Sequence, residues 1–503
     1  MKRVFLTGAT GTMGLAALKE LLKEDSLEII TLVMDTKRDR KIIEPYLKEK
    51  NLKVHYGDLT NYDDVLKGVA GVNIVLHCAA LVSPQADRYP EAAMKTNYGS
   101  TVNIIRAIKA QPNWEKIKLV YIGTVAQTGD RMPPIHWGRV GDPIKPSIHD
   151  YYAVSKVAAE RAVIESGLKY WVSLRQTGII SRKMIEIDDP IIFHNCLDNV
   201  LEYVTDKDSG VLLKNCCGDL PEDFWGHIYN IGGGPDCRLS TYEMFKTLFE
   251  LLGIKNLENV LDSKWFALRN FHGQYFLDSD KLNDYLNFRS QGKEYIFDLY
   301  MKRLGLLLPV IRAINKIPGG EKLTGRIFKT RFKKLLYDER GILNWIINDR
   351  KEFIEPFFIS REKWTEIPPL NDYSHYIEWD KVIWIDHGYD ESKPESELSI
   401  EDLESAAEFR GGRLLSRRME KGDWQSKLEW QCAFGHEFRA SPRLILEGGH
   451  WCPVCERESW NYHEIAKRSP FFAQVWYPLH DRDEPLREYP KKVSELDVFP
   501  VSL

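Results

Sequence analysis

Short apolar runs separated by stretches of helical spacing set the plan of the first half of the chain. Val4 to Thr7 is predicted as a buried strand, and Leu15 to Lys23 as the helix that follows it. Ile29 to Met34, Val54 to Asp58, Ile74 to His77 and Leu119 to Ile122 repeat the strand pattern, each set off by helical or turn-rich sequence. Strands alternating with helices predict an α/β chain built on a parallel, doubly wound sheet. Ligands of such sheets lie beyond the carboxyl ends of the strands.

Chemistry enters at the first of those ends. Gly8-Ala9-Thr10-Gly11-Thr12-Met13-Gly14 joins the first strand to its helix with Gly-x-x-Gly-x-x-Gly spacing. Glycines there permit a tight turn and let the backbone approach a dinucleotide pyrophosphate, whose charge suits a helix N-terminus. Asp35, closing the second strand, is placed to accept hydrogen bonds from ribose hydroxyls, which favours NAD over NADP. Lys37 and Arg38 follow it, either as ligands of a 2′-phosphate or as a solvated loop. Further on, Tyr152 and Lys156 stand four residues apart and share a helix face if a helix forms. A tyrosine is a poor base at its ordinary pKa of about 10; a neighbouring ammonium and a nicotinamide cation would lower it and make Tyr152 a proton-transfer group.

These motifs resemble the extended short-chain dehydrogenase/reductase family, also called the NAD-dependent epimerase/dehydratase family. The resemblance covers roughly residues 1–290. It includes the glycine turn, Gly57-Asp58-Leu59, His77-Cys78-Ala79-Ala80, Asn97, Thr124, the Tyr152/Lys156 pair and Tyr229-Asn230-Ile231-Gly232-Gly233-Gly234. It implies a Rossmann-type sheet with a small substrate lobe, mainly residues 180–290. It also implies that Asp58 and Leu59 lie at the adenine, that Ala79 and Ala80 line the cofactor, and that Asn97 supports the active site. Thr124, Tyr152 and Lys156 would be catalytic, with Lys156 also holding the nicotinamide ribose. Members of the family commonly form homodimers through the helices near Asn97 and Tyr152.

Two departures bear on the reaction. Thr124-Val125-Ala126 lacks the Thr-Asp-Glu of the family's sugar 4,6-dehydratases, and Leu174-Arg175-Gln176-Thr177-Gly178-Ile179-Ile180 lacks an Asn common in sugar-nucleotide epimerases. The expectation is therefore an oxidoreductase that interconverts a carbonyl and an alcohol on a small, apolar substrate. An epimerase that retains its cofactor is the alternative, and a cofactor-sensing scaffold is the reading outside enzymes. His194, Trp225, Trp265, Phe271, His272, Tyr275 and Phe276 make the substrate lobe aromatic, as pocket lining or as core.

Residues 296–395 are expected to form a helical extension. The apolar run Leu304 to Ile311 there is followed by Arg312, Lys316, Lys322, Arg326, Lys329, Arg331, Lys333 and Lys334. Such a join fits either a membrane-surface contact or a helix packed on the enzyme with a solvated basic face. Next, in residues 396–460, Cys432-Ala433-Phe434-Gly435-His436 and Cys452-Pro453-Val454-Cys455 offer three thiolates and an imidazole, a closed set for a structural Zn2+. The surroundings, residues 398–458, resemble a bacterial zinc-ribbon or treble-clef module. A protein partner is the expected role for it, with nucleic acid as the lesser alternative. Residues 461–503 are expected to be a tail packed on another domain.

Bulk properties narrow the class. A chain of 503 residues implies two to four domains. A net charge of -4 argues against a general polyanion binder. Eight cysteines in this length make no disulfide scaffold, and the Cys/His pattern suits a reducing cytoplasm. Neither a signal-peptide core nor an apolar run of membrane-spanning length stands out.

Overall fold

A computed structural model describes residues 1–457 and 461–484. Seven strands form one parallel sheet: β1 (Lys2–Thr7), β2 (Leu27–Val33), β3 (Leu52–Tyr56), β4 (Ile74–His77), β5 (Lys118–Thr124), β6 (Trp171–Gln176) and β7 (His227–Ile231). Their order is β7-β6-β5-β4-β1-β2-β3. The chain thus winds outward in both directions from β1 and β4, which pair with Thr7 beside His77. That gap is the topological switch point, and the Rossmann-type prediction holds. β1 shows why both faces are covered: Val4 and Leu6 enter one apolar cluster and Phe5 the other, as alternation along a strand requires.

Two helices carry the predicted chemistry to the switch point. α1 (Thr12–Leu21) starts three residues earlier than its apolar pattern suggested, because Gly11 serves as its N-cap. α2 (Tyr151–Ile164) begins where the Asp150 carboxylate accepts the Ala153 amide at 2.8 Å, a side-chain cap of the kind that fixes helix starts.

In residues 180–290, expected to form the substrate lobe, Trp225, Trp265, Tyr275 and Phe276 are core residues. Beyond it, six helices between Glu294 and Glu366 pack on the lobe around Phe193, Phe249 and Trp345. No described helix is long and apolar enough to cross a membrane. The Cys/His region builds a small antiparallel sheet from β8 (Arg413–Leu414), β9 (Leu428–Gln431) and β10 (Glu437–Ala440). Its Trp430, Phe438 and Leu444 belong to the same apolar cluster as Phe5, Ala159, Ala162 and Trp171. Of the expected tail, Phe472 and Trp476 pack with Ile148 and Val154; residues 485–503 lie outside the described residues.

Candidate active site and Cys/His centre

The glycine turn is shaped by contacts that a side chain would destroy. Gly8 has φ +72°, and a Cβ there would lie 2.9 Å from the Ala79 backbone. A Cβ on Gly14 would fall 2.2 Å from the Gly8 carbonyl oxygen. No side chain caps α1, so its first amides, at Thr12 to Gly14, remain donors for an anion. Thr10 hydrogen-bonds Asp39, and its carbonyl accepts Lys183 Nζ at 3.5 Å.

Behind this turn a buried relay fixes the segment after β4. Thr7 Oγ1 accepts the amides of Cys78 and Ala79, each at 3.1 Å, and bonds His77 Nδ1 at 2.9 Å. Burial, with Lys156 adding to it, pushes His77 down to about 3, so the ring is neutral. Thr101 already donates its hydroxyl to the Asn97 carbonyl at 2.7 Å. His77 Nε2 must therefore donate to Thr101 Oγ1 (3.1 Å) and Nδ1 accept from Thr7. The Asn97 side chain clasps Leu81 at both its amide (2.7 Å) and its carbonyl (2.9 Å), and donates to Ser155 Oγ at 2.8 Å. Asn97 thus ties the Ala79-Ala80 segment to the helix that bears Tyr152.

The Thr124 hydroxyl stands beside the Tyr152 phenol and favours its ionised form. Lys156 does not point at the phenol. Its ammonium donates to the Ile122 carbonyl at 2.5 Å and lies 4.1 Å over the Tyr121 ring. The sequence-based expectation of a lowered Tyr152 pKa is accordingly reversed: burial pushes the phenol up to about 12. Burial likewise lowers Lys156 to about 7, against the pull of Glu160 and Cys78. Desolvation outweighs pairing because the ammonium spends its charge on a carbonyl and a ring.

Thr124 is held from behind. Its amide donates to Gln127 Oε1 at 3.1 Å while its hydroxyl accepts the Ala126 amide at 3.2 Å. This Thr-x-x-Gln capping box is a local pattern readable in the sequence. Gln127 Nε2 donates to Glu160 at 2.9 Å. Burial opposes ionisation of Glu160, yet Arg175 and His450 hold it well below the usual carboxylate range.

Asp35 is exposed at the end of β2, and its carboxylate accepts Arg40 Nε at 2.5 Å. That bond holds Asp35 below its ordinary range. Arg40 in turn stacks on Tyr56 at 4.0 Å. Asp58 is exposed after β3 and accepts the Thr60 amide at 2.8 Å, with Leu59 half-buried beside it. A pocket of about 480 Å³ lies against the start of α2, between Ser83, Asp87, Asp150, His272 and Arg340. Phe271 and His194 also line it. Burial and the Asp150 charge push Asp87 up to about 7, against the pull of Arg340. No motif in the sequence marked Asp87 or Arg340.

The four predicted metal ligands converge. Cys432 Sγ lies 3.8 Å from Cys455 Sγ, and His436 Nδ1 lies 3.4, 3.7 and 3.5 Å from the sulfurs of Cys432, Cys452 and Cys455. A tetrahedron with Zn–S bonds of about 2.3 Å has sulfur–sulfur edges of about 3.8 Å, so the donor set fits Zn2+ in type and spacing. All eight cysteines are free of disulfides. His227, Glu395 and Glu447 form a second cluster, but Arg443 donates to both glutamates and supplies the positive charge there.

Comparison with known proteins agrees with this geometry. The NAD dependent epimerase/dehydratase family matches residues 4–184. The chain is 34% identical over 110 residues to the UDP-glucose 4-epimerase of Rickettsia bellii (strain RML369-C), covering 21% of this chain and 32% of that protein. The UDP-glucose 4-epimerase of Rickettsia rickettsii (strain Sheila Smith) is 36% identical over the same length and shares. The chain therefore spans about a third of the length of the curated relatives it matches. Among solved structures, a double mutant of the dTDP-glucose 4,6-dehydratase DesIV of Streptomyces venezuelae, with NAD and DAU bound, is 20% identical over 61% of this chain and 98% of its own, with a TM-score of 0.49. Residues 4–184, which match the model of the NAD dependent epimerase/dehydratase family, hold the glycine turn, the switch point and the Thr124/Tyr152/Lys156 set.

Proposed function

We propose that the protein is an NAD-dependent enzyme that moves a proton and a hydride at a carbonyl/alcohol centre. The observation that carries the reading is the placement of Thr124 beside Tyr152, with Lys156 one helical turn further along the same helix. The glycine turn, the uncapped N-terminus of α1 and the Ala79-Ala80 segment would hold the dinucleotide, with Asp58 and Leu59 near the adenine. When bound, the nicotinamide supplies hydride acceptance and donation. Thr124 orients the reacting oxygen by hydrogen bonding. Tyr152, protonated at neutral pH, gives its proton to a carbonyl oxygen and becomes the phenolate; in the reverse direction that phenolate takes the proton from the alcohol. Lys156 would hold the ribose. NAD is favoured over NADP because Asp35 presents a carboxylate where a 2′-phosphate would sit. Cys432, His436, Cys452 and Cys455 would hold a structural Zn2+.

A second reading is an isomerase that oxidises transiently and keeps its cofactor; the UDP-glucose 4-epimerase names of the curated relatives favour it. Thermal shift of purified protein with NAD(H) and NADP(H), followed by a substrate panel that includes UDP-glucose, separates the two. Exchangeable cofactor with net nicotinamide turnover supports the dehydrogenase. Bound nucleotide that will not exchange, with no net consumption, supports the isomerase. Tyr152→Phe should abolish turnover and leave cofactor binding intact; retained turnover rejects the assignment of Tyr152.

A further inference from the structure

The helical extension carries a solvent face that the fold does not use. α3 (Leu307–Asn315) and α4 (Gly320–Leu336) pack against each other and turn one side inward, where Leu308, Ile311, Phe328, Phe332 and Leu335 meet the core of the lobe. Their other sides are apolar as well. Leu307 and Val310 stand three apart on α3, with Leu306 just before its start and Ile317 just past its end; Leu323 and Ile327 stand four apart on α4. All six are exposed, Leu306 at 91% and Ile327 at 67%. Apolar side chains already fill the inner side, so the outer ones contribute nothing to folding.

Charge says what covers them. Residues 302–334 hold ten basic side chains and one acidic one, Glu321. Three of the ten are engaged by the protein: Arg303 with the Ile185 carbonyl, Arg312 with the Leu251 carbonyl and Arg331 with Asp188. Lys322, Arg326 and Lys333 flank the Leu323/Ile327 stripe, exposed, and form no ion pair with a described residue. Glu321 faces the lobe, where its carboxylate accepts the Lys255 amide at 3.2 Å. The outward surface is thus apolar with an almost purely cationic border in a chain whose net charge is -4. A second copy of the chain docking through the same face would set the two cationic borders against each other. An anionic bilayer supplies both components at once: acyl chains for the leucines and phosphates for the lysines.

We infer that α3 and α4 form a peripheral docking surface for a bilayer rich in anionic phospholipid. The contact lies in the interface and does not span the membrane. It is independent of the catalytic reading and stands or falls separately.

The test is cosedimentation of the full chain with vesicles of phosphatidylcholine alone and of phosphatidylcholine mixed with phosphatidylglycerol, at low and high salt. Binding is expected to the anionic vesicles only, and to weaken as salt rises. Leu307→Asp with Val310→Asp, and separately Lys322→Glu with Arg326→Glu, should each weaken it by about tenfold or more. Unchanged melting temperatures are expected because the four positions are exposed. No binding to anionic vesicles at low salt overturns the inference, as does binding that neither pair of substitutions alters. A doubled mass in light scattering, abolished by Leu307→Asp and unaccompanied by vesicle binding, assigns the face to a second copy and overturns it too.

Discussion

Glu160, one helical turn beyond Lys156, accepts a hydrogen bond from His450 Nε2 at 3.2 Å across 290 residues of chain. Its Oε1 also takes Arg175 Nη2 at 2.6 Å and Gln127 Nε2 at 2.9 Å, and its Oε2 takes Ser173 at 2.7 Å. Arg175 closes the group by donating to the Gly448 carbonyl at 2.7 Å. Glu160, Arg175 and His450 are all fully buried. The carboxylate that steadies the Thr124 capping box is therefore itself steadied from the Cys/His region.

Glu160→Ala should cost about 3–5 kcal/mol of stability, because it strands a buried guanidinium without its counter-charge. Urea unfolding measures this. Glu160→Gln keeps the volume and one acceptor and should cost less. Equal loss in both variants would mean that side-chain volume, not charge, is what the site requires.

Metal analysis of purified protein should find one zinc per chain. Stripping it with a chelator should lower the melting temperature, and Cys452→Ser should do the same with loss of the metal. A chelator that leaves the melting curve unmoved would show that the four side chains converge without an ion.

Gly14→Ala should abolish the thermal shift given by NAD, since its methyl would fall 2.2 Å from the Gly8 oxygen and the turn would have to open. Gly8→Ala should be at least as harmful, as the φ of +72° adds backbone strain. Retained NAD affinity in both variants would move the dinucleotide elsewhere.

Lys156 supplies a pH signature of its own. Its folded pKa of about 7 lies below the ordinary lysine value of 10.5, so between those limits the unfolded chain binds one more proton than the folded one. The penalty for burying the charged form is fully present below pH 7 and is relieved as pH rises toward 10. Wild type should gain stability over Lys156→Met between pH 7 and pH 9, by up to about 1.4 kcal/mol per unit. Denaturant titrations at several pH values measure it, and parallel curves for the two proteins would reject the low pKa.

The sheet was legible because its signal is local. Ile74–His77 is the strand its apolar run predicted, and β1, β2 and β5 differ from expectation by one or two residues at their ends, where backbone pairing outruns the apolar pattern. The convergence of Cys432, His436, Cys452 and Cys455 was legible because thiolates and imidazole at those spacings have few other uses. The orientation of Lys156 was not. Residue spacing puts it on the same face as Tyr152, but only the packed core decides that its ammonium reaches the Ile122 carbonyl. Contacts such as Glu160 with His450 leave no mark on either local sequence. The pocket pairing of Asp87 with Arg340, 3.6 Å apart across the lobe and its extension, is of the same kind.

The apolar cluster that runs without a break from Phe5 through Ala159 and Ala162 to Trp430 and Leu444 makes any truncation ahead of the Cys/His region costly. A shortened chain ending near residue 395 would leave the outer side of α2 bare and remove His450 from Glu160. Such a fragment should aggregate on expression, however complete its dinucleotide half looks in an alignment. In calorimetry the full chain should melt these two regions in a single cooperative event, and a library of shuffled C-termini should yield few stable proteins.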